Sequence, residues 1–169
     1  MLDGGCTAGP MDDRSEFRRA TQADVGAIRD LTRAAYAKWV PVIGREPKPM
    51  GADYESAIRK HRFDLLYIDD VLVGLIEMID EKNRLLIENV AVSPDFQRQG
   101  LGSKLMAHAE EVAASLGCER VWLYTNQRFT ENITFYLRLG YRVEREEDIG
   151  EGTIKIDMSK TLRLEPLKS

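Results

Sequence analysis

The 169-residue sequence predicts one α/β (α+β) domain, a mixed sheet of about seven strands with four helices on both of its faces. Three observations point to it. Strand-like and helix-like segments alternate from Glu16 to Thr161 with no internal repeat or inter-domain linker. The run Val90-Ala91-Val92 is apolar at consecutive positions, which suits a central strand covered on both faces. Two helical periods end on glycine, Gly117 and Gly140, at the position where a left-handed residue closes a helix.

The elements follow in order. Phe17 to Ala20 reads as a short first strand. Thr21 and Asp24 then form a capping box ahead of a helix whose apolar face is Val25, Ile28, Leu31 and Ala35. A segment punctuated by Pro41, Pro47 and Pro49 follows, with Tyr36 and Trp39 at its entry, and Asp53 to His61 is the second helix. Phe63 to Asp69 and Val71 to Ile79 are strands joined by a tight Asp69-Asp70 turn. Leu85 to Val92 is a strand stopped by Pro94. A helix begins near Gln99, with Leu101, Leu105, Ala109, Val112 and Leu116 on one face. Val121 to Tyr124 (strand), Asn132 to Leu139 (helix), Tyr141 to Glu144 and Thr153 to Met158 (strands) complete the chain. Residues 15–163 form the domain, with a disordered tail expected over 1–14 and a short C-terminal tail over 164–169.

Composition removes several classes. At 43% hydrophobic and 31% charged, the chain is neither disordered nor fibrous. A net charge of −4 gives no electrostatic case for nucleic acid or an anionic membrane as partner. The longest apolar stretch, Val71 to Ile79, already contains Glu77 and falls short of the roughly 20 residues that span a bilayer. Two cysteines make no disulfide framework, so a cytoplasmic location is expected. His61 and His108 lack partners at metal-ligand spacing, so no metal site is expected.

The chemistry-bearing stretch runs from Val90 to Ser103. It sets a strand, a tight turn and a glycine-bearing helix start in succession. Free N–H groups at a helix start, backed by the helix dipole, bind phosphate, and Gly100 and Gly102 would let a pyrophosphate approach the backbone. The spacing fits neither the dinucleotide-binding G-x-G-x-x-G nor the Walker loop. Glycines that merely ease a turn are an equal reading of this pattern by itself.

Gln97-Arg98-Gln99-Gly100-Leu101-Gly102 resembles the Q/R-x-x-G-x-G/A pattern of the GNAT (GCN5-related N-acetyltransferase) superfamily, preceded by its AV-x-P strand exit. Phe135-Tyr136-Leu137-Arg138-Leu139-Gly140-Tyr141 is similar to the family's second signature, and the resemblance covers Glu16 to Met158. It implies direct transfer of acetyl from acetyl-CoA to a primary amine of a small molecule or peptide, in a ternary complex. It also implies that backbone groups of Val90, Ala91 and Val92 bind pantetheine in a gap between two parallel strands, with the Val92 N–H stabilising the oxyanion. Amides from Gln97, Arg98, Gln99, Gly100, Leu101, Gly102 and Ser103 would hold the pyrophosphate, and Tyr136 would protonate the CoA thiolate. A homodimer is compatible with the resemblance.

One position departs from the pattern. The asparagine that many members carry seven residues before the tyrosine is Phe129 here, and Asn132 occupies the alanine place, so Asn132 or Asn126 would make that contact. Glu88, in the strand leading to the site, is the candidate base, ahead of Glu77 on the adjacent strand, because a carboxylate in an apolar strand is costly unless used or paired. The segment Tyr36 to Asp53, with Arg45 and Lys48, would suit a small amine carrying an anionic group, although exposed loop charge is the simpler reading of both cations. The rival functions are a non-catalytic acyl-CoA-binding module on the same fold and an interaction domain without a CoA site.

Overall fold

The computed structural model describes residues 14–163. The tails expected at either end lie outside those residues, except Arg14, whose carbonyl accepts the Asp69 N–H at 3.2 Å. The strands are β1 (Ser15–Arg19), β2 (Arg62–Ile68), β3 (Val71–Asp80), β4 (Arg84–Val92), β5 (Arg120–Asn126), β6 (Arg142–Asp148) and β7 (Ile154–Thr161). The main helices are α1 (Val25–Tyr36), α2 (Tyr54–Lys60), α3 (Leu101–Ser115) and α4 (Thr130–Arg138). The proline-rich segment after α1 is not bare loop. It coils into short turns, including one helical turn at Val40–Ile43 closed by Gly44.

Local chemistry accounts for these boundaries. The Thr21–Asp24 capping box forms, with the Thr21 N–H donating to Asp24 at 2.8 Å. Asp53 caps α2 by accepting the Ser56 N–H at 3.1 Å. Asp69 and Asp70 both take positive φ, as a two-residue hairpin turn requires. The helix expected near Gln99 begins at Leu101, because left-handed Gly100 is its N-cap. Leu116, expected on the buried face of α3, is 44% exposed, because α3 ends at Ser115 and the chain turns away at Gly117.

The seven strands lie in the order β1-β2-β3-β4-β5-β7-β6, and only β4 and β5 run parallel. Two cores sandwich the sheet. Val25, Ile28 and Leu31 of α1 pack with Leu65, Leu75 and Ala91 on one face. Leu105, Met106 and Ala109 of α3 pack with Leu66, Ile76 and Ile87 on the other. Each such aliphatic side chain contributes roughly 1.5–3 kcal/mol on burial.

Two irregularities open the site. β4 pairs with β5 only from Arg84 to Ile87, although both strands continue, so a gap splits the sheet beyond Ile87. In the β3–β4 ladder Glu77 faces Asn89 and Met78 faces Ile87, which leaves Glu88 as the extra residue of a β-bulge at the mouth of that gap.

Candidate active site

The gap presents unpaired backbone. The Ser93 N–H donates to Val73 O at 2.8 Å, so strand alternation assigns the polar groups of Ala91 to Leu75 and turns those of Val90 and Val92 toward the gap. The Val92 carbonyl accepts Gln97 Nε2 at 3.2 Å, which ties the turn to the strand. Beyond it Arg98 and Gly100 both adopt left-handed φ, of 65° and 78°. No side chain caps α3, so the N–H groups of its first turn have no partner from a cap. A Cβ at Gly100 would point into open space, whereas one at Gly102 would lie 3.2 Å from Phe135 Cζ. Gly102 therefore lets α3 and α4 approach closely, and a Cβ there would press on the Phe135 ring.

A cavity of about 470 Å3 runs along this backbone. Val90, Ala91, Val92, Gln97, Arg98, Gly100, Leu101, Gly102, Ser103, Asn132 and Tyr136 line it, as do Tyr36, Trp39 and Phe135. Gln99 is exposed and is not among its walls. Uncapped amides, a left-handed glycine open to solvent and a strand edge without a partner suit a phosphate-bearing chain lying against β4.

A second cavity of about 720 Å3 is lined by both lips of the gap, Glu88 to Val90 of β4 and Tyr124 to Asn126 of β5. Tyr36, Val90, Asn132 and Tyr136 line both cavities, so the two meet there. Tyr136 is 7% exposed and makes no hydrogen bond through its hydroxyl among the described residues. Burial raises its pKa, so the phenol stays protonated throughout the physiological range. Glu88 lines the second cavity and accepts the Tyr124 hydroxyl. Behind it, Tyr36 Oη donates to Asn89 Oδ1 at 2.9 Å, and Asn89 Nδ2 reaches Thr32 and Tyr54 at 3.3 and 3.4 Å. Burial raises the Tyr36 pKa too, so this network is neutral.

Arg45, Lys48 and Lys155 line the second cavity together with Glu46, Glu77 and Glu88. Arg45 and Lys48 are also exposed, so pocket lining and loop charge are compatible. Arg45 Nη2 donates to Thr153 Oγ1 at 2.8 Å, which joins the loop after α1 to the start of β7. Phe129, in the family's asparagine place, is buried and stacks on Trp39 with centroids 4.4 Å apart. Asn126 lines only the second cavity, whereas Asn132 lines both. Sequence reading missed His61, which lines the second cavity beside Glu77.

The model of the Acetyltransferase (GNAT) family matches residues 27–141. The chain belongs to the GNAT family of acetyltransferases. Its matched span contains both the gap and the start of α3. The GNAT chain is 37% identical over 162 residues to S-(2-succino)cysteine N-acetyltransferase of Bacillus subtilis, covering 89% of this chain and 98% of that protein. Its fold is that of the ribosomal-protein-S18-alanine N-acetyltransferase from Escherichia coli, at TM-score 0.73 and 17% identity, over 92% of this chain and 98% of the other. A PaiA N-acetyltransferase from Thermoplasma acidophilum, solved with coenzyme A, superimposes at TM-score 0.68 with 19% identity, over 88% and 99% of the two chains. No helix among the described residues is long and apolar enough to cross a membrane.

Proposed function

We propose that this GNAT enzyme moves the acetyl group of acetyl-CoA directly onto the amine of a small molecule that carries carboxylates, with S-(2-succino)cysteine as the leading candidate. The observation that carries the reading is that Tyr136 and Val90 line both cavities, with Arg45 and Lys48 among the residues that line the second. The full-length similarity to the Bacillus subtilis enzyme supports the choice of acceptor.

Acetyl-CoA lies in the first cavity, its pyrophosphate at the amides that open α3 and its pantetheine against Val90 and Val92. The Val92 N–H polarises the thioester carbonyl and holds the oxyanion, which in comparable sites lowers the barrier by about 3 kcal/mol. The amine enters from the second cavity, held by its carboxylates at Arg45 and Lys48 and received at the gap by Glu88. A C–N bond forms, the C–S bond breaks, and the departing thiolate takes the Tyr136 proton.

Thiol release from acetyl-CoA, measured across S-(2-succino)cysteine, spermidine and peptide N-termini, tests the proposal. Release with the first, together with a KM for it raised about tenfold or more in Arg45→Gln, is the expected result. A thermal shift with acetyl-CoA but no thiol from any amine would instead identify a CoA-binding module.

A further inference from the structure

Two groups at the second cavity have no part in the transfer just described. His61 closes α2, where its N–H donates to Ala57 O at 2.8 Å, and Glu77 lies on β3 opposite Asn89. His61 Nδ1 and Glu77 Oε2 are 2.6 Å apart, and the side chains are 25% and 5% exposed. An unpaired carboxylate at that depth would be costly, and an imidazole from another element is built against it. Burial raises the Glu77 pKa and the bond to His61 opposes that shift. The titratable groups around the pair are Tyr36 of α1, Tyr54 of α2, Glu88 of β4 and Tyr124 of β5. The tyrosines remain neutral, so Glu88 is the charge that acts on it.

We propose that His61 takes the proton from the acceptor's ammonium group and that Glu77 is its positioning residue, an assignment that rests on the acetyltransferase reading above. A neutral imidazole carries one N–H and one lone pair. With a carboxylate at Nδ1 the proton sits on that nitrogen, and the Nε2 lone pair is left without a protein partner among the described residues. The ammonium gives one proton to Nε2 and becomes the nucleophile. The imidazolium, paired with Glu77, then releases that proton to solvent through the exposed part of the ring. After attack the nitrogen loses a second proton and the thiolate gains one from Tyr136, which the nitrogen's proton replaces. The net products are the amide, CoA thiol and one proton. Glu88 is less suited to the task because Tyr124 already donates to it at 2.5 Å.

The test follows turnover from about pH 6 to about pH 10 in wild type, His61→Gln and Glu77→Gln, alongside 15N NMR of the histidine side chains. At neutral pH His61→Gln is expected to lose about 10²-fold in kcat with acetyl-CoA affinity unchanged, and to recover as the pH approaches the amine's own pKa. The wild-type spectrum should show His61 with its proton on Nδ1, and Glu77→Gln should mix the tautomers. A proton on Nε2 in wild type, or a loss in His61→Gln that is the same at every pH, would overturn the assignment. Should wild type release no thiol with any amine, the acetyltransferase reading fails, while the tautomer measurement still decides the pairing.

Discussion

The Tyr124 hydroxyl lies 2.5 Å from Glu88 Oε1, across the gap where β4 and β5 have stopped pairing. Each partner belongs to one lip of the gap, so the bond bridges its mouth and fixes the direction of the carboxylate. Burial, reinforced by Glu88, raises the Tyr124 pKa, and the hydroxyl therefore remains a donor. Glu88→Gln keeps an acceptor for Tyr124 but removes the charge proposed above to receive the amine. Steady-state kinetics should show the acceptor KM raised about tenfold with acetyl-CoA affinity unchanged. Unchanged acceptor kinetics would remove Glu88 from the site.

Gly100 and Gly117 make a matched pair for testing the phosphate cradle. Both are left-handed, at φ 78° and 76°, and a Cβ at either meets no protein atom within 4 Å. Alanine at each position should therefore cost a similar stability, about 1 kcal/mol. Only at Gly100 does the new methyl face the uncapped start of α3. Calorimetry should find acetyl-CoA affinity at least tenfold weaker in Gly100→Ala and unaltered in Gly117→Ala. Equal affinities would move the pyrophosphate elsewhere.

Tyr136→Phe removes one hydroxyl that no group among the described residues satisfies and leaves the ring in its packing against Phe135 and Tyr141. Stability and acetyl-CoA affinity should hold, while kcat falls by about 10²-fold. A thiol-release assay that finds the same kcat would reduce Tyr136 to a packing role.

The sheet and helices were legible because their signals are local. A near-continuous apolar run marks β3, glycines mark where α3 and α4 end, and the paired aspartates mark a turn that only positive φ can make. The cavity lining from Val90 to Ser103, the proposed phosphate end, was legible for the same reason, since strand, turn and helix start are contiguous. The acceptor end was not. His61 and Glu77 meet because the β2–β3 hairpin folds one element across another, and Arg45 reaches Thr153 over a separation of 108 residues. The bulge that sets Glu88 apart is a property of register between two strands, invisible in either strand alone. Pairings of that kind depend on topology rather than on periodicity.

Asp64 contributes to how the fold responds to acid. It is 2% exposed on β2, with His108 Nε2 2.6 Å from it and Arg62 Nε donating at 3.1 and 3.2 Å. Burial alone would raise its pKa, but the bonds from His108 and Arg62 outweigh that and hold it below the ordinary value. A folded pKa below the unfolded value of about 3.9 means the stabilisation is complete above that pH and is lost as pH falls through the folded value. Asp64→Asn should lower stability by about 2 kcal/mol near neutrality, because both donors lose a charged acceptor. The difference between the two proteins should then shrink as the wild-type carboxylate is protonated. Urea unfolding from about pH 6 down to about pH 3 measures this directly. A constant gap over that range would show that the Asp64 cluster stabilises through packing rather than through its charge.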